Sequence, residues 1–276
     1  MAQRDPERYT QGDDGLIVEK VGSWAVDKLK ILTDYVYASG GARRHFARPG
    51  TAYIDVFCGP GRSLIRDTTT FIDGSPVAAF KRALESPGRF TSIDVSDADD
   101  ELLTAAEKRL NTINAPVRTF AGPASAAMPK IVQSLDPHGL HLAFLDPHNL
   151  GTLSFDLFEQ LAKLRRVDVI AHVSLSDLQR NADRYTHEAH DQFDKFAPGW
   201  RDKVSTDMNQ NAFRAALIQY WCDKILKLNF PQAPHWELIT GDHGQRLYWL
   251  VLLARDELAH KLWSKITSAA KAPKFF

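Results

Sequence analysis

Tyr53-Ile54-Asp55-Val56-Phe57-Cys58-Gly59-Pro60-Gly61-Arg62 is the stretch from which the fold is read. A short apolar run ends at a carboxylate and passes into a Gly-x-Gly turn, the way the first strand of a nucleotide-binding α/β domain ends. Glycine at the carboxyl end of a strand leaves no Cβ between the backbone and a ligand. The stretch therefore predicts a strand over 52–57 and a ligand-facing loop after it. Only two of the three glycines of a Gly-x-Gly-x-x-Gly fingerprint are present, which disfavours a pyrophosphate ligand.

Upstream, Ala25, Leu29, Leu32 and Val36 recur on one face and predict a helix over 24–38. Residues 1–22 are polar and glycine-bearing and read as a loosely held lead-in. Downstream, no helix follows the glycine turn at once: 64–73 reads as an inserted loop. Gly74-Ser75-Pro76 then opens a helix, with proline suited to its first turn. Strands over 90–94, 117–121, 140–145 and 167–173 alternate with helices over 99–111, 124–135 and 154–165. Residues 177–208 are polar with scattered aromatics (Tyr185, Phe193, Phe196, Trp200), and a helix over 210–228 follows. Together they predict a helical insertion at about 177–230. Two strands around Gly241-Asp242-His243-Gly244 form a hairpin, and a last helix covers 256–268. This order predicts a doubly wound α/β domain over 23–276, with a mostly parallel sheet and a C-terminal antiparallel hairpin.

The chain of 276 residues carries no formal net charge, so no overall electrostatic footprint for nucleic acid is visible, although a zero sum is compatible with a local basic face. Two cysteines, Cys58 and Cys222, are too few for a disulfide framework and suggest free thiols in a reducing cytoplasm. No apolar run is long enough to span a bilayer.

Within this frame, Asp55-x-Phe57-x-Gly59-x-Gly61 is closer to the S-adenosylmethionine loop of class I methyltransferases than to a dinucleotide loop. The two glycines make room for the methionine part of the cofactor, with Asp55 facing its ammonium. Asp94, expected to close the second strand, is placed to accept the ribose hydroxyls; the inserted loop explains why it comes later than the usual ~20 residues after the glycines. Asp97 and Asp99 read as caps of the next helix. Asp146-Pro147-His148-Asn149 ends the fourth strand, where ligands bind in open α/β sheets. Asp146 and His148 are the candidate acid–base groups toward a methyl acceptor. Arg62 and Arg66 suit an anionic substrate, nucleic acid or a nucleotide. His187-Glu188-Ala189-His190 has its second histidine one position short of metalloprotease spacing and reads as a solvated helix face, so no metal is expected. Two other readings remain open: a non-catalytic partner subunit with a degenerate cofactor site, and a metal-dependent nuclease or hydrolase using Asp55, Asp94 and Asp146.

Several segments, in order, resemble the three-Cys-motif partner proteins, TcmP. They are Trp24-Ala25-Val26-Asp27-Lys28-Leu29 with Tyr35, the glycine stretch itself, Asp73-Gly74-Ser75-Pro76 and Phe144-Leu145-Asp146-Pro147. Val167-Asp168-Val169-Ile170 with Arg180-Asn181 follows, then Leu247-Tyr248-Trp249-Leu250 leading to Leu262-Trp263. The resemblance implies a methyltransferase-like Rossmann fold, a bacterial or archaeal setting, and a neighbouring three-Cys-motif protein, itself similar to radical S-adenosylmethionine proteins, as partner. The sequence departs from that family at Cys58, where alanine is common, at Pro123, where an acid is usual, and at His148-Asn149, where an aromatic-glycine pair is usual.

Overall fold

The structure, a computed structural model, describes residues 7–187 and 190–270. Glu188 of the His187–His190 segment and the 271–276 tail lie outside them.

Strands β1 (Tyr9–Gln11) and β2 (Ile17–Val21) precede helices α1 (Trp24–Ala38) and α2 (Gly40–His45). Next come β3 (Ala52–Asp55), β4 (Arg62–Ile65), β5 (Phe71–Asp73) and α3 (Ser75–Leu84). The alternation continues through β6 (Ser92–Val95), α4 (Asp100–Thr112), β7 (Val117–Thr119), α5 (Ala124–Ser134), β8 (His141–Leu145), α6 (Phe155–Leu161) and β9 (Val167–Ser174). Then follow α7 (Leu175–Thr186), α8 (Gln192–Phe196), α9 (Gln210–Lys227), β10 (Glu237–Thr240), β11 (Arg246–Leu253) and α10 (Glu257–Ala270).

Among the described residues, seven strands form the central sheet in the order β10-β11-β9-β8-β3-β6-β7. All neighbours are parallel except β11, which runs antiparallel to both β9 and β10. The last strand is inserted antiparallel into an otherwise parallel sheet, and the order reverses at β3/β8: this is the class I methyltransferase-like Rossmann arrangement. Residues of β3, β8 and β9 are mostly apolar on both faces because both faces are covered. One layer, with Leu32 and Val36 of α1, Phe80 of α3 and Trp263 of α10, packs on the Tyr53 and Phe144 side. The other, with Met128, Phe158, Phe193 and Trp221, packs on the Ile54 and Val169 side. The 177–230 region is helical, and Phe196 stacks on Trp221 at 5.2 Å within that second layer.

The lead-in and the inserted loop differ from the sequence reading. Residues 9–21 form a hairpin, 62–73 form another, and β2 pairs parallel with β4 to give a four-stranded sheet, β1-β2-β4-β5. Burial of Val18 alone would not hold so polar a hairpin. Arg109 of α4 does: its guanidinium, nearly buried, makes two 2.7 Å contacts to Asp14 and donates to the carbonyls of Ile17 (2.9 Å) and Pro60 (2.5 Å). A bidentate charged pair of this kind fixes geometry as well as energy. One side chain thus ties the small sheet and the glycine turn to the main domain. Among the described residues no helix is long and apolar enough to cross a membrane.

Candidate functional site

The carboxyl ends of β3, β6, β8 and β9 open into a cleft of about 770 Å³, roofed by the small sheet and by the start of α1. Phe57, Gly59, Gly61, Arg66, Asp146 and His148 line it; Asp55, Asp94 and Arg62 do not. Gly59 and Gly61 hold φ of 55° and 76°, left-handed values that glycine adopts without a Cβ penalty. A Cβ on Gly59 would project into the gap toward Glu19 Oε2, 4.0 Å away, so the missing side chain is what leaves the space open.

Asp55 lies beneath this turn rather than in the cleft. It is fully buried and accepts from Ser75 Oγ (2.6 Å), Tyr53 Oη (3.2 Å) and the Phe57 amide (3.2 Å). It presents no surface to the cleft, so it shapes the loop and does not face a ligand's ammonium. Burial pushes its carboxyl up to about 7 against the pull of Ser75 and the Phe57 amide. In the unfolded chain an aspartate ionises near ~3.9. Between those values the folded state binds more protons, so this group's contribution to stability falls as pH rises from ~3.9 through 7. Denaturant titrations of wild type and Asp55→Asn are expected to differ in slope there, the wild type losing stability with pH relative to the variant. A wild type that gains relative to the variant would refute it.

Asp94 is also displaced from its expected role. The strand runs one residue past it, and its register partner Ile54 puts it on the α5 side of the sheet. There, fully buried, it takes a bidentate pair from Arg118 at 2.6 and 2.7 Å. Asp97 occupies the cleft edge instead. Its Oδ2 accepts from the Gly59 amide (3.0 Å), its Oδ1 from the Asp99 amide (2.9 Å), and it lines the cleft. Asp99 alone caps α4. Arg62 is likewise drawn away, pairing with Asp13 (2.6 Å) and Asp73 (3.4 Å) and laying its guanidinium over Phe71. Arg66 is exposed at the cleft.

Asp146 projects from the end of β8 between Lys28 of α1, with which it forms an ion pair, and His172 of β9, whose Nδ1 is 2.7 Å from Oδ1. Burial raises this carboxyl, but the Lys28 ammonium and His172 outweigh it and hold it well below the usual carboxylate range. For Lys28 burial lowers and Asp146 raises; the pair keeps it charged. His148 sits at the mouth, where the Arg8 guanidinium is 2.8 Å from its Nδ1. Burial and then Arg8 lower its pKa, so the ring is neutral. His172 and Lys28 escaped the sequence reading, because Asp146 and His172 meet only through strand register, each following one of the partners Leu145 and Ala171 on adjacent parallel strands.

Asp55, Asp94 and Asp146 form no shared cluster, and among the described residues no group of three or more His, Cys, Asp or Glu is placed to hold a metal ion. The carboxylate site that a metal-dependent hydrolase would need from them is absent.

No protein-family model matches the sequence, and no curated protein does. The structure is similar to the O-methyltransferase TomG from Streptomyces achromogenes, solved with SAM: 14% identity, covering 83% of this chain and 80% of that one, TM-score 0.47. It is also similar to an O-methyltransferase from Bacillus cereus solved with SAH, at 13% identity over 83% and 80% of the chains, TM-score 0.46. Both are remote, and the reading of the cleft rests on this chain's own residues.

Proposed function

We propose that the chain binds S-adenosylmethionine in this cleft and transfers its methyl group to an anionic acceptor, with nucleic acid or a nucleotide as the leading class. The observation that carries the reading is Asp97 bonded to Gly59: a carboxylate at the end of the second parallel strand, set against the glycine turn at the end of the first. That arrangement suits a ribose diol beside a close-approaching backbone. The residues fit the cofactor: Gly59 supplies open backbone, Gly61 lets the turn pack closely against Ala106 of α4, Asp97 is the diol acceptor, and Glu19 places a carboxylate above the turn. The anionic acceptor is inferred from Arg66, Arg180 and Arg246. These come from the β4–β5 turn, α7 and β11, are exposed, line the cleft and have no ion pair among the described residues. A three-Cys-motif partner protein belongs to the proposal on the sequence resemblance alone.

Calorimetric titration with S-adenosylmethionine and S-adenosylhomocysteine tests it. Micromolar affinity is expected for wild type, weakened about 100-fold in Asp97→Ala, since hydrogen bonds to a charged group are lost. Asp94→Asn, remote from the cleft, is expected to bind like wild type. A folded wild-type chain that binds neither ligand would sink the reading. Binding without methyl transfer to nucleic acid or nucleotides would favour the partner-subunit reading.

A further inference from the structure

We propose that His172 is the proton acceptor of this cleft, taking a proton at Nε2 from a hydroxyl or amine of the methyl acceptor. The inference rests on the methyl-transfer reading above.

Its ground is a buried imidazole with one satisfied nitrogen and one unsatisfied. Nδ1 lies 2.7 Å from Asp146 Oδ1, and a carboxylate only accepts, so Nδ1 carries the hydrogen. In the neutral ring Nε2 is then bare. It is buried and has no hydrogen-bond partner among the described residues, although His172 lines the cleft. An unmet buried acceptor carries an uncompensated desolvation cost. A ligand O–H or N–H at this position removes that cost; a carboxylate or thiolate acceptor, with no proton to give, does not.

Burial holds the ring in its base form against the pull of Asp146. Lys28 reaches in from α1, Asp146 from the end of β8, and His148 from the loop beyond it. Tyr248 of β11 lays its ring against that of His172 at 3.8 Å, and its own buried hydroxyl also lacks a partner among the described residues. Burial lowers the His172 pKa, Asp146 opposes, and Lys28 lowers it further. His148 is the poorer base, because the Arg8 guanidinium already donates to its ring.

S-adenosylmethionine, when bound, supplies a methyl group whose bond to the sulfonium breaks, leaving the electron pair on sulfur, as the acceptor's lone pair forms the new bond. The proton displaced from the acceptor passes to His172 Nε2. Asp146 stabilises the imidazolium through Nδ1–H, Lys28 keeps Asp146 ionised, and the proton then leaves to solvent. Positioned bases of this kind contribute about 10²–10⁴-fold.

The full chain, saturated with S-adenosylhomocysteine, is titrated with p-nitrophenol while phenolate absorbance and the histidine ¹⁵N resonances are followed. The expected result is an unprotonated Nε2 in the absence of the phenol, shifted toward protonation on its addition, with a matching gain in phenolate. In His172→Asn, whose amide can still donate to Asp146, that gain is expected to fall at least about tenfold. S-adenosylhomocysteine affinity is expected to stay within about threefold of wild type. A protonated Nε2 at neutral pH, or a phenolate signal absent from wild type or equal in the variant, overturns the assignment while leaving the cofactor site intact. Failure of the wild type to bind S-adenosylhomocysteine overturns both.

Discussion

Gly74→Ala is expected to displace the glycine turn and lower S-adenosylhomocysteine affinity by about 100-fold, the loss typical of a misplacement near 1 Å at a preorganised site. An added Cβ would stand 2.6 Å from the Gly61 carbonyl carbon and 2.7 Å from its Cα. These are backbone atoms of a turn that Gly74 also holds by donating its amide to the Gly61 carbonyl at 2.8 Å. No rotamer change relieves such a contact, so either β5 or the turn must move. Overpacking of this kind costs about 1–3 kcal/mol. Chemical denaturation and calorimetry on the same sample separate the two effects. A variant that keeps wild-type affinity would show that the turn does not set the cofactor position.

Arg118→Met is expected to destabilise the fold by about 3 kcal/mol, with no change in cofactor affinity. Asp94 is fully buried and keeps only a 3.3 Å hydroxyl from Ser92 once the guanidinium is gone. Removing one member of a buried pair leaves the other charge uncompensated, at about 3–5 kcal/mol; the lower end applies because Arg118 is 38% exposed and partly screened. Asp94→Asn combined with Arg118→Met is expected to recover part of the loss, since the remaining buried group is neutral. A loss under about 1 kcal/mol in the single variant would show that Arg118 acts only as a surface charge.

The displacement of Asp94 shows why the site was less legible than the fold. Alternating apolar strands and amphipathic helices mark their own positions, since each segment carries its period locally. A carboxylate near a strand end does not. Here the strand ends at Val95 instead of at Asp94, which places Asp94 inside the sheet on the face opposite Tyr53 and Ile93. Asp97, just past the end, then meets the Gly59 amide. With aspartates at 94, 97, 99 and 100, a boundary error of one or two residues is enough to move the ligand-facing role from one to another.

Arg62 and Asp14 were illegible for a different reason. The polar segments 9–21 and 62–73 lack the apolar period that announces a strand, and they are held by ion pairs, Arg109 to Asp14 and Arg62 to Asp13, between residues far apart in the chain. The Tyr53–Arg62 stretch, the alternation after it and the closing hairpin determined the central sheet, its parallel core and the strand end where the cleft lies. Those features follow from local hydrophobic period and from turns that need glycine. Only the tertiary structure decided that Asp97 lies at the turn, that Asp55 sits beneath it, and that Lys28, Asp146 and His172 share one corner of the cleft. These are contacts between separate elements, fixed by strand register and by the desolvation of charge, and neither has a signature in the residues on its own.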